Sequence, residues 1–126
     1  MSINASKWKW FGSARHLCVR VHCRFHLCTQ VGKYLISTVG EYWPLHEISN
    51  GTSECMSEYL KKNPLGHELG YGRFFETMVW EAGKLCACGC EMPDLAGDEL
   101  DFAGYKDRKS ATEGHLAMCK KWSKKK

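Results

Sequence analysis

Hydrophobic and polar positions alternate cleanly along "HLCVRVHCRFHLC", residues 16–28. On an extended chain Leu17, Val19, Val21, Cys23, Phe25 and Leu27 face one way. His16, Cys18, Arg20, His22, Arg24, His26 and Cys28 face the other. This is the pattern of a half-buried strand with a cationic, thiol-bearing outer side. The segment has no evident turn partner, and the composition of the chain changes near Lys33. Residues 1–33 therefore read as a basic N-terminal extension, either disordered or translated from a start upstream of the true one, with Val31 or Leu35 as the alternative start.

From Tyr34 the pattern is that of an ordinary domain, residues 34–122. "YLISTVGEYW", 34–43, is β-branched and aromatic, ends before Pro44 and predicts a strand. Residues 52–64 predict a short helix, with Thr52 or Ser53 as cap, early acids, late lysines and Asn63-Pro64 as the stop. Its apolar side is Cys55, Met56, Tyr59 and Leu60. "LGHELGYG" is a loop. Residues 73–83 predict a strand in which Met78, Val79 and Trp80 are adjacent, a sign of burial on both faces. Residues 98–105 predict a shorter one. "SATE", 110–113, matches a capping box, and Ala111, His115, Met118 and Trp122 come after it at helical spacing. The fold expected is α+β: a small antiparallel sheet of about three strands packed against a C-terminal helix, with a second short helix.

Composition narrows the class. The chain has 126 residues, 44% of them hydrophobic, with five each of Trp, Tyr and Phe. That suffices for one small core and argues against global disorder. No apolar run is long enough to cross a bilayer, and the N-terminus lacks the continuous apolar block of a secretory signal. A cytoplasmic location with no membrane partner is the expectation, and the eight cysteines then read as free thiols or metal ligands.

The net charge of +4 hides a segregation. Residues 1–33 hold six Lys/Arg and no acid, 34–119 hold all 14 acids against seven bases, and 120–126 hold five lysines. Residues 123–126 form a basic tail. Lys7, Trp8, Lys9 and Trp10 interleave cations with aromatics, and Lys120, Lys121, Lys124, Lys125 and Lys126 close the chain around Trp122. Aromatics stack on bases while lysines neutralise phosphates, so these nine residues are the candidate single-stranded nucleic-acid contacts.

"LCACGCEM", 85–92, puts Cys86, Cys88 and Cys90 at every second position. His115 and Cys119, four apart on the last helix, share a face with one another. Cys88, Cys90, His115 and Cys119 together are a candidate zinc set, a staple between that segment and the helix. The spacing is not that of a CxxC knuckle, and unligated thiols are the preferred reading. No cofactor is otherwise called for.

"STVGEYWP", "GYGRFFETMVWEAG", "ELDFAGY" and "GHLAMCKKW" occur in this order. They resemble a family of small uncharacterised proteins of phages, prophages and bacteria. The shared trace is Phe/Tyr-Glu-Thr-Met-Val-aromatic, then Leu-Asp with a Tyr further on, then Gly-His-x-x-Met-x-x-Lys-Trp. It falls here on Phe75–Trp80, Leu100–Tyr105 and Gly114–Trp122, and the resemblance covers about 36–122. It implies a compact α+β protein and no established activity. Glu76, Asp101 and His115 lie in these motifs and would form an acid–base set if they met. There is no P-loop, G-x-G-x-x-G, G-x-S-x-G or H-E-x-x-H. The function expected is that of a non-enzymatic accessory or interaction protein with a host or phage protein partner. Weak nucleic-acid binding through the tails and a zinc-stabilised module are the alternatives.

Overall fold

A computed structural model describes residues 8–11, 23–43, 56–85 and 93–124. Their order is β1 (Lys9–Trp10), β2 (Cys23–Val31), β3 (Tyr34–Tyr42), α1 (Met56–Lys62), β4 (Phe75–Leu85), β5 (Pro93–Tyr105) and α2 (Arg108–Ser123). The fold is α+β, as expected. The sheet has five strands in the order β1-β2-β3-β4-β5, every neighbouring pair antiparallel, rather than about three.

The two added strands come from the segment expected to be an extension. β2 pairs with β3 from Cys23↔Tyr42 to Val31↔Tyr34, so the boundary at Lys33 falls on the turn of a hairpin. Gly32 and Lys33 are that turn. Gly32 has φ 60, the left-handed conformation that a two-residue loop with glycine first requires. Burial does not alternate along β2 as the pattern suggests: Cys23 is buried and Arg24 exposed, but Phe25, His26 and Leu27 are all half-buried and Cys28, expected on the outer side, is fully buried, whereas residues 12–22 lie outside the described residues.

Antiparallel partners share a face, so the register sorts the side chains. Thr29, Val31, Tyr34, Ile36, Thr38, Thr77, Val79, Asp101, Ala103 and Tyr105 lie on the face that α2 covers. Trp8, Val31, Tyr34, Ile36, Val79, Met118 and Cys119 form its core, with Ala103 and Trp122 packed against it. Each fully buried aliphatic of this kind contributes about 1.5–3 kcal/mol. On the other face Cys28 and Leu35 pack with Phe11 and Leu95.

Burial on both faces belongs to β3, where Tyr34 to Glu41 are all buried, because β3 is the central strand. β4 buries Phe75, Thr77 and Val79 in alternation and then becomes exposed. The register slips between Val79 and Glu81, and β5 starts at Pro93, earlier than its sequence pattern suggests.

α2 also starts earlier than expected. Asp107 is its N-cap, and its carboxylate accepts the Ser110 backbone N–H at 2.8 Å. Ser110 therefore lies inside the first turn instead of capping it. α1 retains the buried Leu60 and half-buried Tyr59 of its apolar side. Residues 52–55 lie outside the described part. Among the described residues no helix is long and apolar enough to cross a membrane.

Candidate functional site

α2 lies across the sheet with Ala111, His115, Met118 and Cys119 turned inward. His115 is fully buried. Its Nε2 hydrogen-bonds Thr29 Oγ1 at 2.8 Å, and its Nδ1 hydrogen-bonds Thr38 Oγ1 at 2.7 Å. Thr38 and Thr77, directly opposed on β3 and β4, share a hydroxyl–hydroxyl bond of 2.5 Å. Three strands and the helix thus meet in one buried polar line.

A neutral imidazole donates from one nitrogen and accepts at the other, which suits a hydroxyl on each side. Burial lowers the pKa of His115 from 6.5 to about 4, so at neutral pH the ring is uncharged. The sequence alone points to a backbone carbonyl or carboxylate as the usual partner of such a histidine, and the structure supplies two threonines.

The ends of this line are closed by packing. Gly114 lies against Tyr105, whose ring occupies the space where a Cβ would stand. Burial raises the Tyr105 hydroxyl above its ordinary value, while Thr77 beside it acts in the opposite sense. At the other end burial pushes the Cys119 thiol up to about 11, against a small opposing contribution from Thr29. Such a thiol is protonated and unreactive at neutral pH. Cys23 is pushed up to about 12, first by burial and then by Glu76 and Glu41.

The three acid–base candidates do not meet. Asp101 accepts from Lys121 Nζ at 2.7 Å, Trp122 Nε1 at 3.0 Å and the Phe102 N–H at 2.9 Å. Burial opposes its ionisation, but these bonds outweigh burial and hold its pKa below the usual carboxylate value. Glu76 pairs with Val39 and Gly104 and lies on the face away from α2. Burial raises its carboxyl, Arg73 partly offsets this, and Glu99 adds to the rise. The sheet itself separates Glu76 from His115.

Of the zinc candidates, Cys88 and Cys90 lie outside the described residues, as does Cys86. His115 and Cys119 do share the inner side of α2, but both His115 nitrogens are occupied by hydroxyls. Among the described residues no group of three or more His, Cys, Asp or Glu is placed to hold a metal. Cys23, Cys28 and Cys119 are buried.

The nucleic-acid candidates divide. Trp8 is only 9% exposed and belongs to the core, so it offers no face to a base. The interleaving of Lys and Trp is the alternation of β1. Trp10 pairs with Thr29 on the α2 side, while Lys9 pairs with Gln30 on the other and lies over the Phe11 ring at 5.2 Å. Trp10 is 53% exposed, its ring 6.2 Å from both Trp8 and His115. Lys120, Lys121 and Lys124 line a depression of about 500 Å³ with Ala117. Lys7, Lys125 and Lys126 lie outside the described residues.

One cluster was missed from sequence. Glu41, 1% exposed, receives Arg24 Nε at 2.5 Å and Arg108 Nη2 at 2.7 Å on one oxygen, and Arg108 Nε on the other. Burial would raise its pKa, but the hydrogen bonds from Arg108 and Arg24 prevail and lower it. The Arg108 guanidinium also lies 5.6 Å over Phe25. The available signal was an acid inside a run of residues patterned for a buried strand.

No protein-family model, curated protein or solved structure matches the chain.

Proposed function

We propose that this chain is a non-enzymatic accessory or interaction protein of the phage and prophage type, acting by binding. One observation carries the reading. The side chains with catalytic chemistry in the resembling motifs are parted: His115 is held between two threonines, Asp101 under Lys121 and Trp122, and Glu76 stands behind the sheet. A general acid or base needs a proton-transfer position open to substrate, and His115 has none. Exposed apolar side chains suited to contact a partner include Tyr71 (98% exposed), Leu85, Leu100 and Phe102.

The test is photo-crosslinking in phage-infected or lysogenic cells, with the crosslinker placed at Tyr71, Phe102 or Lys120. A recurrent partner, lost when Tyr71 or Phe102 is changed to Ser in a chain that still folds, supports binding as the function. Absence of any specific adduct from all three positions overturns it.

A further inference from the structure

We propose that the pole where the β2–β3 turn, β1 and the end of α2 meet binds single-stranded nucleic acid, and that Lys33 is part of this surface. The proposal rests on reading the chain as a binding protein and names the chemistry of its partner. Lys33 belongs to neither terminal run of the sequence that suggested such binding. Folding brings it there. Its Nζ lies 5.6 Å from the Tyr34 ring centroid, and the Tyr34 ring meets Trp122 edge-on at 4.7 Å between centroids. Lys120, Lys121 and Lys124 neighbour Trp122 in sequence at the end of α2 and, with Ala117, line a depression on that helix.

Lys121 is tied to Asp101, but Lys33, Lys120 and Lys124 are exposed. The rest of the body carries an excess of acid, whereas at this pole three exposed lysines outnumber the exposed Glu81 that pairs with Tyr34. A wide, stiff duplex would bring phosphates against that acidic remainder, whereas a single strand can track a narrow stripe. Trp10 supplies the second element. Its half-exposed ring stands on the α2 side of β1, next to Trp8 in the core, so it is anchored on one side and open on the other. An open aromatic 6.2 Å from His115, on the helix that also carries Lys120 and Lys124, fits a base next to its phosphates better than it fits an acidic peptide.

The experiment is fluorescence anisotropy of the full chain with a labelled 20-nucleotide oligo-dT at rising salt. Binding is expected at about 20 mM salt, falling steeply as salt rises. Each lysine removed from the pole should reduce the log–log salt slope by about 0.7, the single-strand value per phosphate contact. Lys33→Ala and Lys120→Ala should each do so, and Lys61→Ala on α1 should not. Trp10→Ala should weaken binding about tenfold with the slope unchanged, because stacking releases no counterions. Four results overturn the proposal. These are no binding at about 20 mM salt, stronger binding to a duplex of equal length, displacement by poly-glutamate as efficient as by unlabelled oligo-dT, and an unaffected Lys33→Ala while removal of 123–126 abolishes binding. Any of these leaves the crosslinking test of a binding function standing.

Discussion

Mild acidification should destabilise this protein first through His115. The His115 pKa is about 4 when folded, against 6.5 in the unfolded chain. Above roughly pH 6.5 the ring is neutral in both states and the stability is fully present. As pH falls below that, the unfolded state takes up a proton that the folded state refuses, so stability is lost progressively down to about pH 4. The shift of about 2.5 units corresponds to about 3 kcal/mol in full, and about 2 kcal/mol of it is gone by pH 5. That is a large share of the 5–15 kcal/mol typical of a small domain.

Other groups contribute differently in the same range. Glu76, with its raised pKa, gains stability as pH falls, whereas Glu41 and Asp101, with lowered values, lose it only at more acid pH. The assay must therefore be a difference. Urea denaturation monitored by tryptophan fluorescence at pH 7.5 and 5.0 should be run on the wild type and on His115→Gln, which retains one hydrogen bond and does not titrate. At pH 7.5 the variant should be the less stable, and at pH 5.0 the gap should narrow by about 2 kcal/mol. If the variant does not fold, the wild-type His115 ring can be titrated by NMR and should stay neutral to pH 5. A constant gap, or a ring that titrates near 6.5, would refute the buried neutral histidine.

Deleting residues 1–33, which the sequence pattern treats as nearly neutral, should abolish cooperative unfolding by circular dichroism, because it removes β2 and bares Leu35 and Ile36, both fully buried. A truncated chain with an unchanged midpoint would show that β2 is dispensable. Gly114→Ala should cost about 1–3 kcal/mol as the methyl meets the Tyr105 ring; a gain of about 1 kcal/mol, as at an open helix position, would sink the packing account. Glu41→Gln should cost about 1–3 kcal/mol near pH 7, less than a fully buried pair because both arginines are about half exposed. Since the Glu41 carboxyl is depressed below 4.5, that loss should vanish as pH falls through its folded value, and a cost independent of pH would exclude the ion pairs as its source.

Much of the fold was legible because its elements carry local signals. β3 announced itself by β-branched content, α2 by helical spacing, and His115 and Cys119 by a separation that puts them on one side of the helix. The failures share a cause: each depended on what lies across the sheet. The "VGKY" turn carries the Gly-first signature of a hairpin, yet the charge change at Lys33 suggested a domain edge. Charge composition reports on solvent, not on backbone pairing. Asp107 was overlooked as the cap because Ser110-x-x-Glu113 also fits a capping pattern, and the choice was made by where β5 ends and the chain turns. Glu41 could not be placed, because its partners come from positions 24 and 108.

Trp8 and Trp10 show how one pattern carries two meanings. A repeat of two with lysine between is what a stacking platform needs, and it is also what an amphipathic strand needs. Only the covering element decides, and α2 buries Trp8 while leaving Trp10 half open. The motifs behind the family resemblance divide in a similar way. Thr77 of the first bonds Thr38 on the next strand, Asp101 of the second clamps Lys121 and Trp122 of the third, and Tyr105 of the second seats on Gly114 of the third. These contacts join β4, β5 and α2, so the motif polar groups that looked like reaction chemistry serve as the adhesive between sheet and helix. A sequence constrained at those positions can keep its fold while its surface changes. Function is then expected at exposed or half-exposed positions such as Trp10, Lys33 and Lys120.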